Sequence, residues 1–377
     1  MKDNTASAEL GKHAQASRPA PRSYPVNLVS LRMAHHASAS GYDRLSGYLG
    51  AQVIHAPQHL SVMQRIIGKL CKPIIRRSGL AWYHRASFVT ELSVARRWIS
   101  TKGQVFHFLY GENQFRFAGL LRKLHAGNIL VATYHTPEQR FREVVTDAGF
   151  LSNLDAVIVM SDVQKDFLAR HMPMELIHFV PHGIDTDFFT PDPTVKRGED
   201  GAFRCIAVGS HLRDHATLAA AARLIGDTAP EVRFDIVTRP ELFRHYSQLP
   251  NVDLHSSVTD SALVSMYQRS DLMVLPLTDA TANNSILEAM ACGVPIVSTE
   301  LAGVRDYVDA ACAVLVPTRD PERLARAILD LRGDDGQRQA MRVASRLRAE
   351  AFAWTRIAER TLEVYDSAWA LRGCGSE

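Results

Sequence analysis

Short apolar runs alternate with longer amphipathic stretches along almost the whole chain, and this alternation limits the fold more than any single residue does. The runs expected as strands in the first half are Val26–Leu31, Gln52–His55, Val105–Tyr110, Ile129–Tyr134, Ala156–Met160 and Ile177–Val180. Those in the second half are Arg204–Val208, Arg233–Val237, Leu272–Pro276, Pro295–Ser298 and Ala313–Val316. A helical stretch sits between most of them. In one, Asp260 supplies an acidic cap and Leu263, Met266 and Tyr267 fall on one face. Strands that are apolar throughout are buried on both faces, so the pattern builds parallel sheets covered by helices. A length of 377 residues, at about 150 residues per domain, makes this an α/β chain of two doubly wound, Rossmann-like domains. Ligands bind such sheets beyond the carboxyl ends of the strands. Two domains facing each other would enclose a cleft there.

Composition shifts suggest the boundaries. Residues 1–24 are polar, rich in Ala, Ser and Pro, and without periodicity, which is the composition of a disordered tail. The first domain is expected over 25–191 and ends in a turn-rich stretch from Pro181 to Pro191. Residues 192–202 hold Pro193, Gly198 and Gly201 and read as a linker. A second domain over 203–350 opens with the strand Arg204–Val208.

Several function classes drop out. There is no run of 18 apolar residues and no apolar stretch behind the N-terminal charges, so neither a spanning helix nor a secretory signal is expected. Five scattered cysteines (Cys71, Cys205, Cys292, Cys312, Cys374) with no CxxC pair read as reduced thiols of a cytoplasmic protein. The strong motifs for dinucleotide binding, a P-loop, an α/β-hydrolase nucleophile and a zinc protease are missing. The net charge of +3 is uneven: residues 1–190 carry 22 Lys and Arg against 14 Asp and Glu, and the remainder 21 against 26. A basic first half suits an anionic partner.

The richest segment runs from Leu275 to Ser298. A strand ends near Leu277, a loop of small polar residues runs to Asn284, a helix is expected from Ser285, and Gly293 caps its end before Pro295 opens the next strand. Small residues leading into a helix N-terminus expose unpaired N–H groups at the positive end of the helix dipole, which is an anion site. Glu288, one turn inside, has two readings. It could accept hydrogen bonds from a sugar diol beyond a phosphate. It could equally close a capping box, Ser285-Ile-Leu-Glu288, on the Ser285 backbone.

This segment resembles the donor-site signature of the GT-B-fold, retaining glycosyltransferases of family 4 (glycosyltransferase group 1). The resemblance continues in Ser161–Pro191, which ends in Val180-Pro-His-Gly-Ile-Asp-Thr-Asp-Phe-Phe-Thr-Pro191 and is similar to the family's inter-domain passage, and in Asn251–Asp260 followed by Leu263, Tyr267 and Asp271–Pro276. Phe352–Tyr365 is similar to its closing helix, so 351–377 is expected as a C-terminal helix that crosses back to the first domain. Residues 25–370 are covered, most clearly after 150. The resemblance implies transfer of a sugar from a nucleotide-sugar donor, with retention, to a glycan or lipid-linked acceptor in polysaccharide or glycoconjugate biosynthesis. It implies that Glu288 binds the donor ribose and that the amides near Asn283, Asn284 and Ser285 receive the pyrophosphate. A nucleotide-sugar epimerase and a non-catalytic GT-B-like binding protein are the alternatives.

The chain departs from the family in two places. The second carboxylate expected eight residues before Glu288 is Ala280 here, with Asp279 its neighbour and possible substitute. The cationic pair expected after Arg204–Val208 is replaced by Ser210 and His215. Arg213, following Gly209, is then the best cation for a leaving diphosphate, and His215 helps only when protonated. With amides and Arg213 carrying that charge, neither a metal nor another cofactor is expected.

In the first half, Ser40 and Gly41 lie in a small-residue loop after Val26–Leu31, where the family has a glycine loop between donor phosphate and acceptor. His135 follows the strand Ile129–Tyr134, where the family often has a histidine near the transferred sugar. Residues 62–90 hold Arg65, Lys69, Lys72, Arg76, Arg77 and Arg85 interleaved with isoleucines and no acid. Such a stretch suits peripheral contact with an anionic membrane, at its cytoplasmic face, or a solvated helix packed by its isoleucines. Nucleic acid is not expected, because no basic run carries aromatic platforms.

Overall fold

A computed structural model describes residues 24–31, 41–124, 126–195, 197–198 and 200–373. The expected tail, Tyr24 apart, and Ser40 lie outside them. The chain parts into two compact units, the first holding residues 24–31, 42–181 and 354–373, the second Gly41 and residues 182–353.

The first unit is built on six parallel strands: β1 (Val26–Ser30), β2 (Gln52–His55), β3 (Val105–Phe108), β4 (Ile129–Tyr134), β5 (Ala156–Val159) and β6 (Ile177–Phe179). Their order is β2-β1-β3-β4-β5-β6. Every residue of β1, β3, β4 and β5 is buried, which is why these strands read as continuous apolar runs and not as alternating ones. The helix Trp354–Gly373 belongs to this unit. Its Tyr365 hydroxyl meets His107 Nδ1 at 2.6 Å, and His107 Nε2 meets the Thr133 hydroxyl at 2.7 Å.

That histidine is fully buried, and desolvation, aided by nearby His135, lowers its pKa to about 3. The unfolded chain therefore takes up a proton, at an ordinary pKa near 6.5, that the folded unit refuses. The stability from a neutral His107 is complete above about pH 6.5 and is lost as the pH falls toward 3. Melting at pH 7 and pH 5 is expected to show a loss of about 2 kcal/mol from this group. A His107→Gln variant should flatten that slope; an unchanged slope would assign the acid sensitivity to other groups.

The second unit carries β7 (Phe203–Val208), β8 (Val232–Val237), β9 (Val252–His255), β10 (Leu272–Leu275), β11 (Ile296–Thr299) and β12 (Ala313–Val316). The order is β12-β11-β10-β7-β8-β9, all parallel. This is the Rossmann order, in which the winding reverses between the first and fourth strands, here β7 and β10. Ile184 and Phe189, from the turn-rich stretch, are buried in this unit's core. Eleven strands match the expected positions within about two residues; β9 was not expected. It is a short edge strand, half-buried throughout, and its Val-Asp-Leu-His alternation lacks the apolar run that marks the others.

Helix starts also differ from expectation. The helix Asp260–Arg269 is capped by Thr259, whose hydroxyl accepts from the Ala262 N–H at 3.3 Å, so Asp260 is its first turn and not its cap. Leu263, Met266 and Tyr267 do face the core.

Candidate active site

The carboxyl ends of β7 and β10 meet at the reversal of winding, and the residues following each are tied together. The Asp214 N–H donates to Pro276 O (2.9 Å) and the Thr278 N–H to Leu212 O (3.0 Å). Gly209 ends β7 with φ +105°, a conformation that favours glycine. A Cβ there would also lie 2.7 Å from Arg213 Nη2, so glycine lets the guanidinium fold back over the strand end.

Arg213 connects the two loops. Its Nε donates to Val208 O (3.1 Å), Nη1 to His211 O (2.8 Å), and Nη2 to Asn283 Oδ1 (3.3 Å) and Ser285 Oγ (3.0 Å). Among the described residues, four of its five N–H groups are thus directed at protein acceptors. Desolvation lowers its pKa to about 10, opposed by nearby Tyr267 and Glu288, so the charge persists at neutral pH.

The helix after β10 runs from Asn284 to Ala291. Asn283, not Ser285, is its N-cap: Asn283 Oδ1 accepts from the Ile286 N–H at 3.2 Å. Ser285 lies inside the first turn, and its hydroxyl donates to Val208 O (3.2 Å) while accepting from Arg213. The amides of Asn284 and Ser285 have no intrahelical acceptor, as at any helix N-terminus. At the other end Gly293 has φ +69°, its N–H bonds Met290 O (2.9 Å), and the Val294 N–H bonds Ala289 O (2.9 Å). That is a Schellman motif with glycine at its left-handed position.

The cap on Asn283 removes the capping-box reading of Glu288. Its carboxylate is 4% exposed, and Oε2 accepts from the Tyr267 hydroxyl at 2.9 Å. A buried carboxylate close to a half-buried arginine at a helix start is an arrangement able to hold hydroxyls and an anion side by side.

His215 opens the helix His215–Gly226. Nδ1 meets the Tyr246 hydroxyl at 2.7 Å, and among the described residues Nε2 finds no partner. Burial, with His245 and Arg213 nearby, lowers its pKa to about 4. The ring is neutral at pH 7, so the protonation that His215 would need in order to act as a cation is not met there, and position 215 offers a neutral nitrogen. Asp279 is half-buried, and its Oδ1 accepts from the Ala280 N–H (2.8 Å) within its own turn. Ala280 is buried.

The structure therefore brings Gly209, Arg213, Asn283 and Ser285 into direct contact, with Asn284, Glu288 and His215 on the same two helix starts. His135 belongs to the first unit, and Gly41 (φ +130°) borders residues outside the description. Nε2 of His135 donates to Leu109 O at 2.7 Å, which puts the neutral ring's lone pair on Nδ1. The ring stacks on Tyr110 (4.7 Å between centroids), and burial lowers its pKa. Glu112, 1% exposed, accepts from the backbone N–H groups of His135 and Thr136 and so holds this loop.

Glu112, Tyr110, Tyr246 and the Tyr267 hydroxyl escaped the sequence analysis as partners of these groups. Their partnerships span 21 to 31 residues, beyond any local spacing rule. A lone acid directly after a buried strand was the one available signal for Glu112.

The family description "Glycosyl transferases group 1" matches residues 202–334, and "Glycosyltransferase Family 4" matches residues 74–188. The chain is similar to a D-inositol 3-phosphate glycosyltransferase of Corynebacterium urealyticum, 34% identical over 327 residues that cover 77% of this chain and 74% of that one. The protein of the same name from Paenarthrobacter aurescens is 27% identical over 262 residues, 64% of each chain, so the chain spans just under two thirds of that relative. Among solved structures, Anabaena HepE in complex with UDP superposes with a TM-score of 0.68 at 14% identity, covering 91% of this chain and all of that one. That likeness shows the fold, a GT-B arrangement of two Rossmann-like units. On the combined matches, the chain belongs to the group 1, family 4 glycosyltransferases.

Proposed function

We propose that the protein is a glycosyltransferase whose second unit binds a nucleoside-diphosphate sugar and whose first unit binds a glycan or lipid-linked acceptor. The observation that carries this reading is the convergence of Arg213, the Asn284 and Ser285 amides and buried Glu288 where the second sheet reverses its winding. The amides and the guanidinium suit the diphosphate, and Glu288 suits the ribose diol. In transfer, the bond from the sugar's anomeric carbon to the diphosphate breaks and a bond to the acceptor oxygen forms. The acceptor attacks from the face the diphosphate leaves, so the anomeric configuration is retained and the acceptor proton passes to the departing phosphate beside it. Arg213 and the amides stabilise the charge that grows on the leaving group. His135, which follows β4, is the first unit's contact to the transferred sugar. No step needs a metal.

The buried Ala280, and an Asp279 turned to its own loop, favour one second reading: a chain that binds the nucleotide sugar and does not transfer it.

A thermal-shift panel with UDP, GDP, ADP and TDP and their sugar conjugates, without added metal, tests both readings. A nucleotide at 100 times its dissociation constant is expected to stabilise by about 2.7 kcal/mol. Glu288→Gln keeps an acceptor for Tyr267 and loses the charge, and should weaken the responding nucleotide by about tenfold. Silence to every nucleotide at millimolar concentration would overturn the donor site. A response with no product from any acceptor would favour the second reading.

A further inference from the structure

The helix Val62–Leu70 presents the wrong face to water. It is well formed: Ser61 Oγ accepts from the Gln64 N–H (3.3 Å), and Gln64 Oε1 from the Ser61 N–H (2.8 Å). An amphipathic helix on a globular domain ordinarily turns its apolar stripe to the core. Here the buried residue is Gly68, where a Cβ would lie 3.1 Å from Arg85 Cδ. Val62, Met63, Ile66 and Leu70 stand in solvent, 47% to 76% exposed. At about 100° per residue these four lie within an arc of about 100°, and Arg65 and Lys69 border it. The next helix, Lys72–Arg76, adds exposed Ile74 between exposed Lys72 and Arg76. Between Asp43 and Glu91 the chain has seven Lys and Arg and no acid.

We propose that this face docks on an anionic lipid bilayer. The apolar side chains enter the boundary between headgroups and acyl chains, while the bordering ammonium and guanidinium groups meet lipid phosphates. Charge complementarity selects this occupant. A second copy would set the same basic, acid-free surface against itself, with like charges opposed. Docking favours a lipid-linked acceptor over a soluble glycan, yet it does not depend on sugar transfer. Its test uses no donor, so either proposal can fail alone.

The test is co-sedimentation of the full chain with two sets of vesicles, phosphatidylcholine alone and phosphatidylcholine with about 30% phosphatidylglycerol. Binding is expected to the second set only, and to weaken in high salt. At about fivefold per basic residue, Arg65→Gln/Lys69→Gln/Arg76→Gln should weaken binding roughly 100-fold. Met63→Ser/Ile66→Ser/Leu70→Ser should lose it as well. All six side chains are exposed, so neither variant should shift the melting temperature. Failure to sediment, equal binding to neutral vesicles, or undiminished binding by both variants would overturn the proposal. A dimer that the serine variant converts to monomer, with no vesicle binding, would assign the face to a second copy.

Discussion

Arg213→Gln is expected to cut sugar transfer by about 100- to 1,000-fold, the usual cost of removing one preorganised donor from a charge developing in a transition state. The folded state should survive. Asn283 Oδ1 keeps the Ile286 N–H, and the Ser285 hydroxyl keeps Val208 O, so neither is left without a partner. The half-buried guanidinium is partly desolvated yet still charged, with a pKa of about 10, so a neighbouring anion feels it more strongly than it would in water. His215 does not substitute as a cation, because it is neutral at pH 7. Arg213→Lys keeps a charge but loses the fork that spans Val208, His211, Asn283 and Ser285, and should recover only part of the rate. The measurement is kcat/KM beside a thermal melt. A glutamine variant with the parental rate would leave Arg213 as a structural clasp between two loops.

The strands were legible because the central strands of each sheet are buried on both faces, and double burial leaves an uninterrupted apolar run in the sequence. The edge strands β2 and β12 kept two or more adjacent apolar residues, such as Val53-Ile54 in β2, but in β9 the Val-Asp-Leu-His alternation leaves no run to read. Glycine was equally informative. Gly293 marked a helix end because a left-handed residue there is cheap only without a Cβ.

The candidate site was legible in its residue types and less so in their roles. Asn283, Asn284 and Ser285 pointed to a helix N-terminus, but which of them caps it depends on where the preceding loop approaches. Arg213 and Val208 O hold Ser285 on one side and leave Asn283 to cap. Glu288 fitted a capping box by spacing. Only the position of Tyr267, on another helix, shows where its carboxylate turns. The protonation of His215 was out of reach for the same reason: the desolvation that lowers its pKa comes from the packed surroundings, not from sequence neighbours.

Gly303→Ala should damage the same site from behind. Gly303 lies in the helix Ala302–Arg305, and a Cβ there would sit 2.1 Å from Ala280 O and 2.7 Å from Ala280 C. Both are backbone atoms, so no rotamer change relieves the clash, and the loop from Thr278 to Ala282 must move. Overpacking of this kind costs about 3 kcal/mol of stability. The moved loop leads directly into Asn283, which caps the helix and accepts from Arg213. A displacement of about 1 Å in groups that position a substrate costs about 100-fold in rate. The variant is therefore expected to melt earlier, to respond weakly to the nucleotide that stabilises the parent, and to transfer sugar about 100-fold more slowly. Gly333→Ala is the control: it closes a helix in open space, so stability should hold or rise by up to about 1 kcal/mol, with activity unchanged. If Gly303→Ala lost stability but kept the parental nucleotide response, the loop through Ala280 would be a packing element only, and the donor site would be set by β7 and the helix Asn284–Ala291 alone.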